Sequence, residues 1–181
     1  MRIWFKRMGR IVFWLIVFVL SLGFLEITGT LSLLEPFRCW ALRYSVLCAL
    51  DNAKTIRVVE HSNRFDRAPG LDPAKETIYA TITLSPKQVD ELRTALPLSL
   101  SHDNSILKCI FEEHQRIEIV EPGGTVTTLH LCFHCGQLYL NENWATEGRM
   151  PPGWQTNLSH FISSIGLHPE GPWDQNPDAA K

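Results

Sequence analysis

Apolar and polar residues alternate with a period of two in TIYATITL (77–84), where Ile78, Ala80, Ile82 and Leu84 share one side, and the pattern predicts a strand. TIRVVEHS (55–62) is a second, shorter strand candidate. IEIVEPGGTVTTL (117–129) sets two β-prone runs on either side of Pro122, Gly123 and Gly124. It predicts a hairpin, because a Gly-Gly pair tolerates the positive φ angles of a tight turn.

Helical spacing takes over in three other segments. SPKQVDELRTALP (85–97) opens with Ser85 as N-cap, Pro86 in the first turn and Gln88 completing a capping box; Val89, Leu92 and Leu96 form its buried stripe. WQTNLSHFISSIGL (154–167) places Trp154, Leu158, Phe161, Ile162 and Ile165 on one side, with Gly166 to end the helix. From Glu35 to Leu50, Phe37, Trp40, Ala41, Tyr44, Leu47 and Cys48 follow helical spacing. Packing of that stripe on the core is expected; an interfacial helix, with Arg38 and Arg43 near a membrane surface, is the other reading. NRFDRAPGLDPAK (63–75) and NENWATEGRMPPG (141–153) read as loops. The pattern as a whole predicts an α+β fold: an antiparallel sheet of about four strands with two to three helices on one face.

One apolar run is different in kind. IVFWLIVFVLSLGFL (11–25) follows Arg2, Lys6, Arg7 and Arg10, and no charge falls between Arg10 and Glu26. Such a run is short for a full span, but snorkelling Arg7 and Arg10 lengthen it, and no A-x-A cleavage site follows. An uncleaved anchor is expected, with the basic flank in the cytoplasm and the remainder exported. This gives residues 1–26 as stub and anchor, 27–54 as amphipathic helix and connection, 55–168 as the α+β domain and 169–181 as a disordered tail. Residues 51–181 carry eleven Lys/Arg against seventeen Asp/Glu. No basic stripe exists there to neutralise phosphates, which argues against nucleic acid as a partner.

Candidate chemistry gathers around the hairpin. Its arms carry Cys109 and His114 before the turn and Cys132 and Cys135 after it, in CFHCG. Thiolate and imidazole suit zinc, and Gly136 would let the backbone turn under a metal, so these four are the candidate metal ligands. Centring the turn on Gly123-Gly124 makes facing residues sum to 247. On unbroken arms the four ligands would then split between the two faces, whatever the register. Convergence needs a break at Glu112–Gln115 or at Cys132–Gly136. A zinc site, a disulfide within the three cysteines and thiols without a special role all stay open. A redox C-x-x-C is disfavoured, because that motif normally opens a helix. His130 and His134 read as half-exposed strand histidines, and the adjacent Glu112 and Glu113 do not make a catalytic carboxylate pair. Ser101, His102 and Asp103 lie side by side and do not form a triad, whose members converge from separate elements.

LSPKQ (84–88), CIFEEH (109–114) and CFHC (132–135) resemble the motifs of a group of small bacterial proteins for which no activity is established. Their pattern is L-[ST]-P-x-Q opening a helix, then C-F-x-P-x-H, a Gly-centred hairpin, C-F-x-C and a short C-terminal helix. Ile110 and Glu112 replace the Phe and Pro of the first Cys motif. The resemblance covers residues 84–166 and implies that the Cys, His and C-x-x-C positions belong to one site. With no nucleophile motif or phosphate loop, the expectation is a non-enzymatic domain in the bacterial inner membrane. It would be single-pass, with its C-terminal domain periplasmic or extracellular and a protein-binding, accessory or immunity-type role. The alternative is a zinc-binding or thiol-redox protein built on the Cys/His cluster.

Overall fold

The computed structural model describes residues 35–64, 66, 72, 74–98, 111–141, 148–151 and 153–169, together with Trp14, Val17 and Ser21. Two units divide the chain, Met1–Arg38 and Cys39–Lys181. In the first, Trp14, Val17 and Ser21 are helical, and the Ser21 hydroxyl donates to the Val17 carbonyl at 2.8 Å. No helix of the described residues is long and apolar enough to cross a membrane. The anchor expected at 11–25 falls almost wholly outside the described residues; residues 99–110 and the part of the expected tail beyond Pro169 lie outside them altogether.

The elements are α1 (Glu35–Asp51), β1 (Thr55–His61), β2 (Ile78–Thr83), α2 (Pro86–Thr94), β3 (Gln115–Val120), β4 (Val126–Cys132), β5 (Gln137–Leu140), β6 (Gly148–Arg149) and α3 (Trp154–Ser164). The strands form one antiparallel sheet in the order β2-β1-β3-β4-β5-β6. The α+β class holds, with more strands than the alternation alone predicts. The CFHCG turn divides the second hairpin arm into β4 and β5, and the two-residue β6 comes from a segment that reads as loop.

Alternation decides which side of the sheet is buried. Ile56, Val58, Ile117, Ile119, Leu129, Leu131 and Leu138 point into one core, which Val46, Leu50, Leu92, Leu96, Trp154, Leu158 and Ile162 of the helical segments complete. α1, α2 and α3 therefore cover the same face. α2 begins as its sequence demands: the Ser85 side chain accepts from the Gln88 N–H, and the Gln88 side chain accepts from the Ser85 N–H. α3 ends on Gly166, whose φ of +87° lets Leu167 N–H reach back to the Ile162 carbonyl at 3.1 Å. Between the ends of these helices the Trp154 indole N–H donates to the Pro97 carbonyl at 2.9 Å.

Two expectations are corrected here. The hairpin turn uses one positive-φ glycine, Gly124 at +85°, rather than the Gly-Gly pair. Gly124 N–H bonds the Glu121 carbonyl and Glu121 N–H bonds the Thr125 carbonyl, the pattern of a three-residue loop whose last residue is left-handed. Facing residues consequently sum to 246, with Gln115 opposite Leu131 and Ile117 opposite Leu129. That register puts Ile117 and Leu129 together on the core side, and apolar burial selects it over the 247 pairing. The second correction concerns α1. Leu42, Val46, Ala49 and Leu50 face the core, whereas Phe37, Trp40 and Tyr44 of the predicted stripe are exposed. Arg43 fixes this rotation by donating from Nε to the Leu96 carbonyl at 2.7 Å.

Candidate functional site

The face of the sheet opposite the helices carries charge. Register aligns Arg57, Glu118 and Thr128 in one row and Val59, Arg116, His130 and Tyr139 in the next. Arg57 Nη2 meets Glu118 Oε2 at 2.7 Å, and Arg116 Nε meets Glu118 Oε1 at 2.9 Å. Arg116 also pairs through its terminal nitrogens with Glu76, just ahead of β2. Its guanidinium hydrogen bonds hold the Glu76 carboxyl below the usual carboxylate range.

Glu113 is the hub of this face. It stands two residues before β3 begins, where the chain has left the strand, so its side chain escapes the alternation that would send it to the core face. Its Oε1 accepts from His130 Nδ1 at 2.7 Å and from His61 Nε2 at 3.3 Å, and its Oε2 accepts from the Tyr139 hydroxyl at 3.4 Å. The His130 ring stacks on Tyr139 with centroids 4.2 Å apart, and Phe111 packs against the same phenol ring at 4.8 Å. Burial pushes the Glu113 carboxyl up, but the hydrogen bonds and positive charge of the two imidazoles outweigh it and hold it at about 2.

His61 faces acceptors on both sides. Its Nδ1 lies 3.0 Å from the Ser62 carbonyl and 3.2 Å from Glu76 Oε1, while Nε2 lies against Glu113. Only the doubly protonated ring satisfies all three oxygens. Burial opposes that charge, yet the contacts with Glu113 and the Ser62 carbonyl raise the His61 pKa above the ordinary histidine value. His130 differs: Nδ1 is committed to Glu113, and Nε2 is buried with no hydrogen-bond partner among the described residues.

The four residues singled out as metal ligands are placed as follows. Cys109 lies outside the described residues. His114 is buried, and its Nε2 is 2.8 Å from Asp66 Oδ1. Cys132 closes β4 as a buried free thiol, and Cys135 is disulfide-bonded. The arms do break where convergence required it: β3 starts only at Gln115, and residues 133–136 make a tight turn after Cys132. In that turn the Cys135 N–H points at Cys132 Sγ, 3.4 Å away. Burial nevertheless pushes the Cys132 thiol up. A sulfur held in a disulfide carries no thiolate charge, so a four-ligand zinc shell requires reduced protein. Among the described residues no group of three or more His, Cys, Asp and Glu side chains is disposed to hold a metal ion.

Gly136 has the turn-making role expected of it. Its φ is +61°, and a Cβ there would come within 2.7 Å of Gln155 Oε1, whose amide group donates from Nε2 to the Phe133 carbonyl at 2.8 Å. Gly136→Ala is expected to cost about 2 kcal/mol from left-handed strain and the displaced Gln155. A urea midpoint equal to that of the parent protein would refute this.

Sequence reasoning passed over Glu113, His61 and Tyr139 as a group; His130 is the half-exposed strand histidine expected, and it is also a partner of Glu113. His134 is exposed in the turn. The signal was the recurrence of charged or imidazole residues at outward positions of separate strands, Arg57 and His61, Arg116 and Glu118, and His130. It becomes readable once the strand order is known. No family model, curated protein or solved structure matches this chain.

Proposed function

We propose that this chain is a non-enzymatic domain of the bacterial cell envelope. It is held on the outer side of the inner membrane through residues 11–25 and binds another protein in an accessory or immunity-type role. The observation that carries this reading is the disulfide at Cys135, because a small domain keeps such a bond in an oxidising compartment. The state of Glu113 supports the non-enzymatic part. A carboxylate held ionised down to about pH 2 by two imidazoles is poorly matched to proton transfer near neutrality. The partner would meet the charged lattice of Arg57, Arg116, Glu76 and Glu118, which the helices leave open. Fractionation and outside-in proteolysis of spheroplasts should find the full chain in the membrane with its C-terminal part cleaved from outside. Cross-linking with the wild type and with Arg57→Glu should capture a partner that the variant loses. Release from the membrane with capture unchanged would defeat the proposal.

A second reading, a thiol-active protein, is favoured by Cys132 Sγ lying against the backbone N–H of the disulfide-bonded Cys135. Thiol titration of unfolded protein without reductant is expected to count three thiols outside a disulfide, Cys39, Cys48 and Cys132. Five thiols together with one zinc per chain would establish the metal reading instead.

A further inference from the structure

The exposed side of α1 is unusual for a helix facing water. From Cys39 to Ser45 its exposed residues are Trp40, Ala41, Tyr44 and Ser45, and none is charged. Trp40 and Tyr44 stack with centroids 5.5 Å apart and rings within 14° of parallel, while 53 % and 58 % of their surfaces stay open. These rings lie opposite Leu42, Val46 and Ala49, which bind the helix to the core, and Arg43 is turned to the Leu96 carbonyl. The helix is therefore held by one side, and from Cys39 to Ser45 the other presents Trp40, Ala41 and Tyr44 beside the hydroxyl of Ser45. A solvated helix face carries charged residues; an uncharged one ending in indole and phenol suits the boundary between lipid and water, where an amphipathic ring has both solvents at hand.

We infer that Trp40 and Tyr44 seat α1 on the headgroup region of a phospholipid bilayer. This rests on the reading of residues 11–25 as a membrane anchor. Nine residues separate that run from Glu35, a reach of at most about 30 Å when fully extended, so the stripe stays within range of the surface the chain leaves. Residues 51–181 are net acidic, which makes aromatic insertion rather than charge attraction the means of holding the domain to an anionic leaflet.

The test uses the full chain in phosphatidylethanolamine–phosphatidylglycerol vesicles whose acyl chains carry bromine either just below the headgroups or near the bilayer centre. Tryptophan emission is compared among the parent, Trp40→Phe and Trp14→Phe. Shallow bromine should quench a component that Trp40→Phe lacks, and central bromine should quench a component that Trp14→Phe lacks. If the Trp14 component is quenched and none is lost with Trp40, the lipid contact is overturned while the anchor stands. If Trp40 is shielded from aqueous iodide but not quenched by bromine, the stripe belongs to a protein surface and the inference fails. If no component is quenched and the protein does not float with the vesicles, the anchor falls as well.

Discussion

Glu113→Gln is expected to lower the stability of the domain by about 3 kcal/mol at pH 6 and by much less at pH 3. The reasoning starts from position. Glu113 is the shared acceptor of His61, His130 and Tyr139, so the amide removes the charge that balances a buried imidazolium without removing the crowding around it. The magnitude follows from titration. The carboxyl falls from its ordinary 4.5 to about 2 in the folded protein, which makes its pairing fully effective above about pH 4.5 and progressively lost as the pH drops toward 2. His61 works in the opposite sense. Its folded pKa is raised, so its contribution is complete below the unfolded value of about 6.5 and disappears as the pH rises through the folded value. The wild type should therefore be most stable from about pH 4.5 to 6.5, and the variant should show a flatter profile. Urea denaturation of the full chain in mild detergent across this range measures both. Superimposable pH profiles for the two proteins would rule out Glu113 as the hub.

Trp154→Ala should cost about 4 kcal/mol, a large part of the stability of a domain this size. Trp154 is fully buried among the residues that close the sheet against α2 and α3, so its removal leaves a cavity in the core. Trp154→Phe separates two effects. It keeps most of the apolar volume but abandons the Pro97 carbonyl, and it should lose roughly 1–2 kcal/mol beyond a modest packing term. Equal urea midpoints for the Ala and Phe variants would show that the indole volume does not hold these elements together.

The helices and most strands were legible because each is a local pattern. Ser85, Pro86 and Gln88 announce α2 within four residues, and Gly166 ends α3 through its own φ. The rotation of α1 was not legible. Its sequence offers two apolar sides, Leu42 with Val46 and Ala49, and Trp40 with Tyr44, and only the packing of the sheet against one of them decides. The hairpin register missed by one residue because Gly-Gly fits two loop types, and the choice between them came from burying Ile117 and Leu129. The charged face stayed hidden for another reason. Glu113 belongs to no strand, and its partners come from three separate strands, so no spacing along the chain could connect them.

That dispersal has a bearing on how the domain assembles. His130 and Tyr139 lie 17 and 26 residues from Glu113, within a run of strands each paired to its neighbour in sequence, whereas His61 lies 52 residues away. Closing the longer loop is entropically harder, so the local contacts are reached first and His61 arrives when β1 and β2 dock along β3. The contact of His61 with Glu113 thus belongs to the late stage of the folding reaction, and the His61 ring-proton resonance would time that docking in a refolding experiment.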